Sequence, residues 1–241
     1  MSQQPPSPEK KIPTALSSHP IARPDTAPTT HFRELTSDAA ELAASEGGRE
    51  FLTYLVACAL AEDQGTFVMV DGVRYDFRGS FGIAPQWLDR PLTEIEQRWL
   101  TAAILARTNF FGVEVIISMR HPGTQGVEAL PWLEISEQER TEFTLCEGDF
   151  FGNIFIDPPV KCVAVAPRTP AEQAAPVLKW RLGTQIDPDA DLIDGKPLSL
   201  CDFVIVGNIG DPDAHRYLGI QYDQYVRVYL KPDTQPKADT S

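Results

Sequence analysis

Thr66-Phe-Val-Met-Val-Asp-Gly-Val-Arg-Tyr-Asp-Phe77 decides how the rest of the chain is read. The pattern before Asp71 and after Gly72 has period two, the period of side chains along a strand. Asp-Gly supplies the two positive φ angles that a two-residue hairpin turn demands. The stretch therefore predicts strands over 66–70 and 73–77, antiparallel and joined by Asp71-Gly72.

On the N-terminal side the period changes. From Arg49 to Ala61, Phe51, Leu55 and Cys58 or Ala59 recur at helical spacing, joined by Leu52, Val56 and Leu60. So wide an apolar stripe predicts a helix central to the core. A shorter helix is expected over 37–45, with Gly47-Gly48 as the break between the two. On the C-terminal side, Gly79, Gly82 and Pro85 mark an irregular stretch leading to Trp87. Thr93 and Glu96 then have the spacing of a reciprocal cap, each side chain bonding the other residue's backbone N–H. The helix they open has Ile95, Trp99, Ala102, Ala103 and Ala106 on one face and stops near Asn109 and Gly112. Val113 to Met119 is β-branched and predicts a strand.

The second half is more punctuated. Short strands are expected over 142–145, 154–156, 160–165, 203–206 and 225–230, the last with Arg227 pointing outward. Residues 171–180 suit a helix, and 183–198 an Asp-, Pro- and Gly-rich loop. The stretch from Cys146 to Asn153 mixes acids, aromatics and two glycines. It is read as a bulge or tight turn carrying a core aromatic pair, with a ligand pocket as the sharper alternative. The fold class is α+β: a single domain over 36–231, with two core helices packed on a small, mostly antiparallel sheet. Residues 1–35 hold seven prolines and a single aromatic, Phe32. Such a segment buries too little apolar surface to offset its ordering entropy, which predicts a disordered tether. Residues 232–241 have the same character.

Composition narrows the function. With 34 acidic and 21 basic side chains the formal net charge is -13, and the basic residues form only pairs such as Lys10-Lys11. A polyanionic nucleic acid is an unsuitable partner for that surface. No apolar run approaches the roughly 20 residues of a membrane helix. The first residues carry no apolar leader segment, so the expected location is periplasmic or extracellular if a leader was removed, and cytoplasmic otherwise. Cys58, Cys146, Cys162 and Cys201 include no C-x-x-C pair. They permit two disulfides in three connectivities, or buried free thiols, and both readings stand at this point.

Few constellations suggest chemistry. His19 and His31 lie in the tether, and His121, between Arg120 and Pro122, reads as a turn residue. Asp211, Asp213 and His215 at alternate positions offer a weak metal-ligating loop. Asp187, Asp189, Asp191 and Asp194 fit hard oxygen ligation, but Leu192 and Leu198 stand where a calcium-binding EF-hand needs a glycine and an acid. No phosphate-binding, dinucleotide, nucleophile-elbow or zinc-protease motif occurs, and no cofactor is expected.

Phe81-Gly-Ile-Ala-Pro-Gln-Trp87, Gln97-Arg-Trp-Leu-Thr-Ala-Ala-Ile-Leu-Ala-Arg-Thr-Asn109 with Gly112-Val-Glu-Val115, and Glu147-Gly148 with Phe150-Phe-Gly-Asn153 resemble motifs of an uncharacterised family of predicted exported bacterial proteins. Val228-Tyr-Leu230 is similar to that family's closing strand. The resemblance covers 49–231. It implies export, and it implies that Trp87, Arg107, Asn109, Glu147 and Asn153 occupy positions the fold needs; these five are the candidate ligand-binding residues. It also implies a cysteine where this chain has Ala103, so that Cys58 here lacks a partner.

Two functions compete. One is a binding or protein-interaction module on a tether at the bacterial cell envelope, with a protein or a small polar ligand as partner. The other is an acid-base, hydrolase-like enzyme in which Glu147 works with Arg107 and Asn109. The missing catalytic motifs favour the first.

Overall fold

A computed structural model of the chain describes residues 36–108, 116–121, 135–166, 192–193, 196–197 and 203–232. The expected tether, the final tail, the 171–180 helix and most of the 183–198 loop lie outside the described residues, as do Asn109 and Cys201.

Helix α1 (Thr36–Ala43) is followed at once by α2 (Glu46–Ala59). The expected break at Gly47-Gly48 is instead the first turn of α2. Ser45 caps it, its hydroxyl accepting from the Gly48 N–H at 3.0 Å. Glycine is required at 48 because a Cβ there would lie 1.8 Å from the Leu42 carbonyl oxygen. Gly48 thus marks a close approach of two helices, not a chain break, whereas a Cβ on Gly47 would meet nothing within 4 Å. Arg49 closes the joint by donating to the Ala43 carbonyl at 2.8 Å.

The hairpin follows as expected: β1 (Gly65–Val70) pairs antiparallel with β2 (Val73–Arg78). Val68 and Phe77 enter the core, whereas Phe67 and Met69 face out at 47% and 48% exposure. A 3-10 turn at Pro85–Leu88 buries Trp87 completely. Helix α3 (Glu94–Ala106) opens on the expected reciprocal cap. Thr93 N–H donates to Glu96 Oε2 at 2.8 Å and Glu96 N–H to Thr93 Oγ1 at 3.3 Å. Trp99, Ala102, Ala103 and Ala106 are buried, but Ile95, in the first turn of the helix, faces solvent.

The main sheet has five strands in the order β3 (Ile117–Arg120), β11 (Tyr225–Leu230), β4 (Leu145–Asn153), β5 (Val160–Val165), β8 (Val204–Asn208). All neighbours are antiparallel except β5 and β8. A minor ladder joins β6 (Leu192–Ile193) to β7 (Lys196–Pro197), and a second hairpin joins β9 (Arg216–Tyr217) to β10 (Ile220–Gln221). The expected strand at 142–145 is replaced by helix α4 (Glu137–Glu142) and the start of β4. The expected strand at 154–156 is a turn. The Cys146–Asn153 stretch is therefore neither a tight turn nor a loop: it is the central strand β4.

That sheet separates two cores. On one face Phe150, Val163, Val226 and Val228 pack against α2, α3 and the β1–β2 hairpin, with Trp87, Trp99, Leu100 and Leu105. On the other, Phe151, Cys162, Ala164 and Tyr225 are covered by the 209–224 segment through Ala214, Tyr217 and Tyr222. β4 is buried on both faces, which erases the polar-apolar alternation expected of a half-exposed strand. No helix among the described residues is long and apolar enough to cross a membrane.

Candidate functional site

The second face of the sheet carries the densest polar chemistry of the described residues, and strand register builds it. Asp149 on β4 lies directly opposite Arg227 on β11. The pairing shifts by one residue there: Cys146 faces Tyr229 and Gly148 faces Val228, leaving Glu147 as the extra residue of a bulge. Gly148 and Gly152 let β5 come close; a Cβ on Gly152 would lie 2.1 Å from the Val160 carbonyl oxygen.

Asp149 is completely buried and both its carboxylate oxygens are engaged. Arg227 grips it as a fork, Nε to Oδ1 at 2.6 Å and Nη2 to Oδ2 at 2.7 Å. His215 Nε2 meets Oδ2 at 2.8 Å. A carboxylate only accepts, so with Asp149 ionised Nε2 of His215 carries the hydrogen. Burial alone would raise the Asp149 pKa, but the hydrogen bonds from Arg227 and His215 outweigh it and hold the group below the ordinary carboxylate range. The hydrogen bond to Asp149 likewise raises the Arg227 pKa. His215 stacks on Tyr225, ring centroids 3.9 Å apart at 12°, and sits edge-on to Phe151 at 5.6 Å. Because His215 belongs to the 209–224 segment, this cluster pins that segment to the sheet. Arg227, expected to face outward, faces Asp149 instead.

Beside the clamp, His121 follows β3. Its Nδ1 lies 3.1 Å from the Tyr225 carbonyl oxygen. A carbonyl cannot donate, so Nδ1 carries the proton. Burial pushes the His121 pKa down, the ring is neutral, and Nε2 is a bare lone pair. That atom is buried with no hydrogen-bond partner among the described residues, as are Arg98 Nε and Gln224 Oε1. All three belong to residues around Tyr222–Tyr225: Arg98 lies over the Tyr222 ring at 5.0 Å, and Gln224 precedes Tyr225. Trp99 stands edge-on to His121 at 5.2 Å.

The residues singled out from sequence serve packing in several places. Trp87 is a core side chain. Arg107 caps α3, lies over the rings of Tyr54 and Phe81 at 5.1 and 5.3 Å, and approaches Cys58 Sγ at 3.5 Å. Asn153 ends β4; its amide donates to Gln97 Oε1 at 3.1 Å and its oxygen accepts from the Phe155 N–H at 2.9 Å. Glu147 is buried in the bulge. Arg107 is thus engaged with α2, whereas Glu147 and Asn153 lie at opposite ends of β4.

The metal-ligating reading of Asp211, Asp213 and His215 meets different geometry. Asp211 accepts from the Asn208 N–H at 2.8 Å, Asp213 pairs with Arg216 at 3.5 Å, and His215 turns inward to Asp149. Among the described residues no three His, Cys, Asp or Glu side chains gather as a metal would need. Cys58, Cys146 and Cys162 are free thiols. Burial pushes the Cys146 thiol up to about 11, which leaves little nucleophilic thiolate at neutral pH.

Sequence reasoning missed Asp149, Arg227, His215 and His121 as a group. The available signal was a pair of acids, Glu147 and Asp149, within one largely apolar strand and a lone base, Arg227, within another, which is how a buried cross-strand ion pair looks before pairing is known. Comparison of the chain with protein-family models, with curated proteins and with solved structures finds no match.

Proposed function

We propose that the chain is a protein-interaction module. One observation carries this reading: exposed apolar side chains are concentrated on the two hairpins. Of the seven large apolar side chains exposed among the described residues, Phe67, Met69 and Val73 lie on β1–β2, and Leu218 and Ile220 on β9–β10. Single exposed apolar residues are ordinary surface, but grouped ones cost solubility and mark contact sites. Phe67 and Met69 are neighbours on the outer face of a ribbon of only two strands. Against an acid-base role for Asp149, the group is fully buried, both its oxygens are engaged by Arg227 and His215, and it stays ionised, so it has no proton to give and no open path to a substrate.

The experiment is affinity capture with the full chain and with the Phe67→Asp/Met69→Asp double variant, in parallel with sedimentation. The wild type retains a defined partner that the folded variant loses. Equal retention by both would contradict the reading.

A second reading rests on three of the four unpartnered buried polar atoms among the described residues, the fourth being Glu139 Oε1 on α4. A buried polar group without a hydrogen bond costs about 1–3 kcal/mol, and three around one four-residue stretch favour a small polar ligand at Tyr222–Tyr225. Titrating polar metabolites while following the His121 Nε2 resonance tests it. A saturable shift that disappears in Arg98→Met supports the site, and an unresponsive ring rejects it.

A further inference from the structure

The β9–β10 hairpin turns through Leu218 and Gly219 at φ 50° and 78°. The left-handed region brings an L-residue's Cβ against the following carbonyl, and only glycine, asparagine and aspartate enter it readily. Leucine has no polar group with which to offset that strain. It is also 59% exposed, with Ile220 beside it at 39%. The fold thus carries two costs at one position, backbone strain and solvent-facing hydrocarbon. Leu218 belongs to neither apolar core among the described residues, and a Cβ on the adjoining Gly219 would touch nothing within 4 Å. Strain at an exposed, otherwise well-fixed position is a mark of function.

The base of the hairpin is held firmly. Tyr217 and Tyr222 are buried in the second core, the Tyr222 N–H donates to the His215 carbonyl at 2.9 Å, and His215 is bonded to Asp149. A rigid base under a strained apolar tip presents one side chain at low entropic cost on binding. The flanks are acidic. Asp211, Asp213 and Asp223 are exposed, against the single exposed base Arg216, which is already shared with Asp213.

We propose that Leu218 is an anchor side chain that enters an apolar pocket on a protein partner whose pocket rim is basic. The proposal rests on the interaction-module reading and names its surface. Acidic flanks face a basic rim with the attraction that steers and orients association. A second copy of this chain, at net charge -13, brings like charge to the same surface and is disfavoured as the occupant.

The test places a photo-reactive diazirine leucine analogue at position 218 of the full chain, with the same probe at position 67 and at the isolated exposed position 95. Each is irradiated in lysate of the source cells, and adducts are mapped to residues by mass spectrometry. The expected result is one dominant adduct from position 218, mapped to apolar residues flanked by Lys or Arg, absent from position 95 and diminished as salt is raised. An adduct no stronger than that from 95, an adduct to a second copy of the chain, or a site flanked by acids would overturn the proposal. If 67 yields a specific adduct and 218 does not, the interaction reading stands and the Leu218 assignment falls. If neither does, both fall.

Discussion

The β1–β2 hairpin turns through Asp71 and Gly72 at φ 49° and 81°, and the β9–β10 hairpin turns through Leu218 and Gly219 at 50° and 78°. The backbone solution is almost the same. In the first, aspartate suits the left-handed position and its charge suits the exposed tip. In the second, leucine suits neither. The bases differ as well. The first hairpin rests on the helical core through Val68 and Phe77, a contact of hydrocarbon with hydrocarbon. The second is tied to the sheet by a buried charge cluster of Asp149, Arg227 and His215. One hairpin is held by burial alone and closed by a favourable turn. The other adds a buried charge cluster to the burial of Tyr217 and Tyr222 and is closed by a strained turn.

The contrast can be broken most forcefully at Asp149. Asp149→Asn leaves Arg227 without its counter-charge and should cost about 3–5 kcal/mol, the range for splitting a buried pair. A urea midpoint reads the loss. Hydrogen exchange should show residues 204–222 losing protection while 65–78 keep theirs; a uniform loss would mean that the clamp does not belong to the second hairpin.

Acid should sharpen the same difference. The folded-state pKa of Asp149 is depressed, so its contribution to stability is present above its unfolded value of about 3.9 and is lost as pH falls through the lower folded value. Exchange measured down a pH series should therefore release 204–222 before 65–78. Simultaneous release would break the comparison.

Smaller effects test the helical side. Thr93→Ala removes the side-chain half of the α3 cap, the Thr93 Oγ1 acceptor for the Glu96 N–H, and should cost about 1 kcal/mol, seen as a lower thermal midpoint with the second hairpin's exchange unchanged. Asp71→Leu, which copies the second turn into the first, should cost about 1 kcal/mol or a little more from the left-handed strain. A neutral result would show that leucine is at ease in this turn, and would remove the strain from the account of Leu218.

The legible parts of the sequence were those with local period and local chemistry. The Asp71-Gly72 hairpin, the Thr93 cap and the apolar stripe of α2 each lie within a dozen or so residues, and each formed. β4 was illegible because burial on both faces removes alternation and its glycines imitate a turn. Helix α4 was illegible because its six residues bury nothing and carry no apolar stripe. The site was harder still: Asp149 and Arg227 are 78 residues apart, and only strand register brings them together. His121 read as a turn residue because nothing local shows that Tyr225 supplies the carbonyl that fixes its tautomer. Gly48 was misread for a related reason, since a helix-helix approach needs the same residue type as a chain break.

The most direct test of the account is Leu218→Asn, measured for both stability and partner retention. The account predicts that the variant unfolds at a higher temperature than the wild type, because asparagine fits φ 50° and removes exposed hydrocarbon, and that it loses the captured partner. A variant that is less stable, or that retains the partner undiminished, would contradict it.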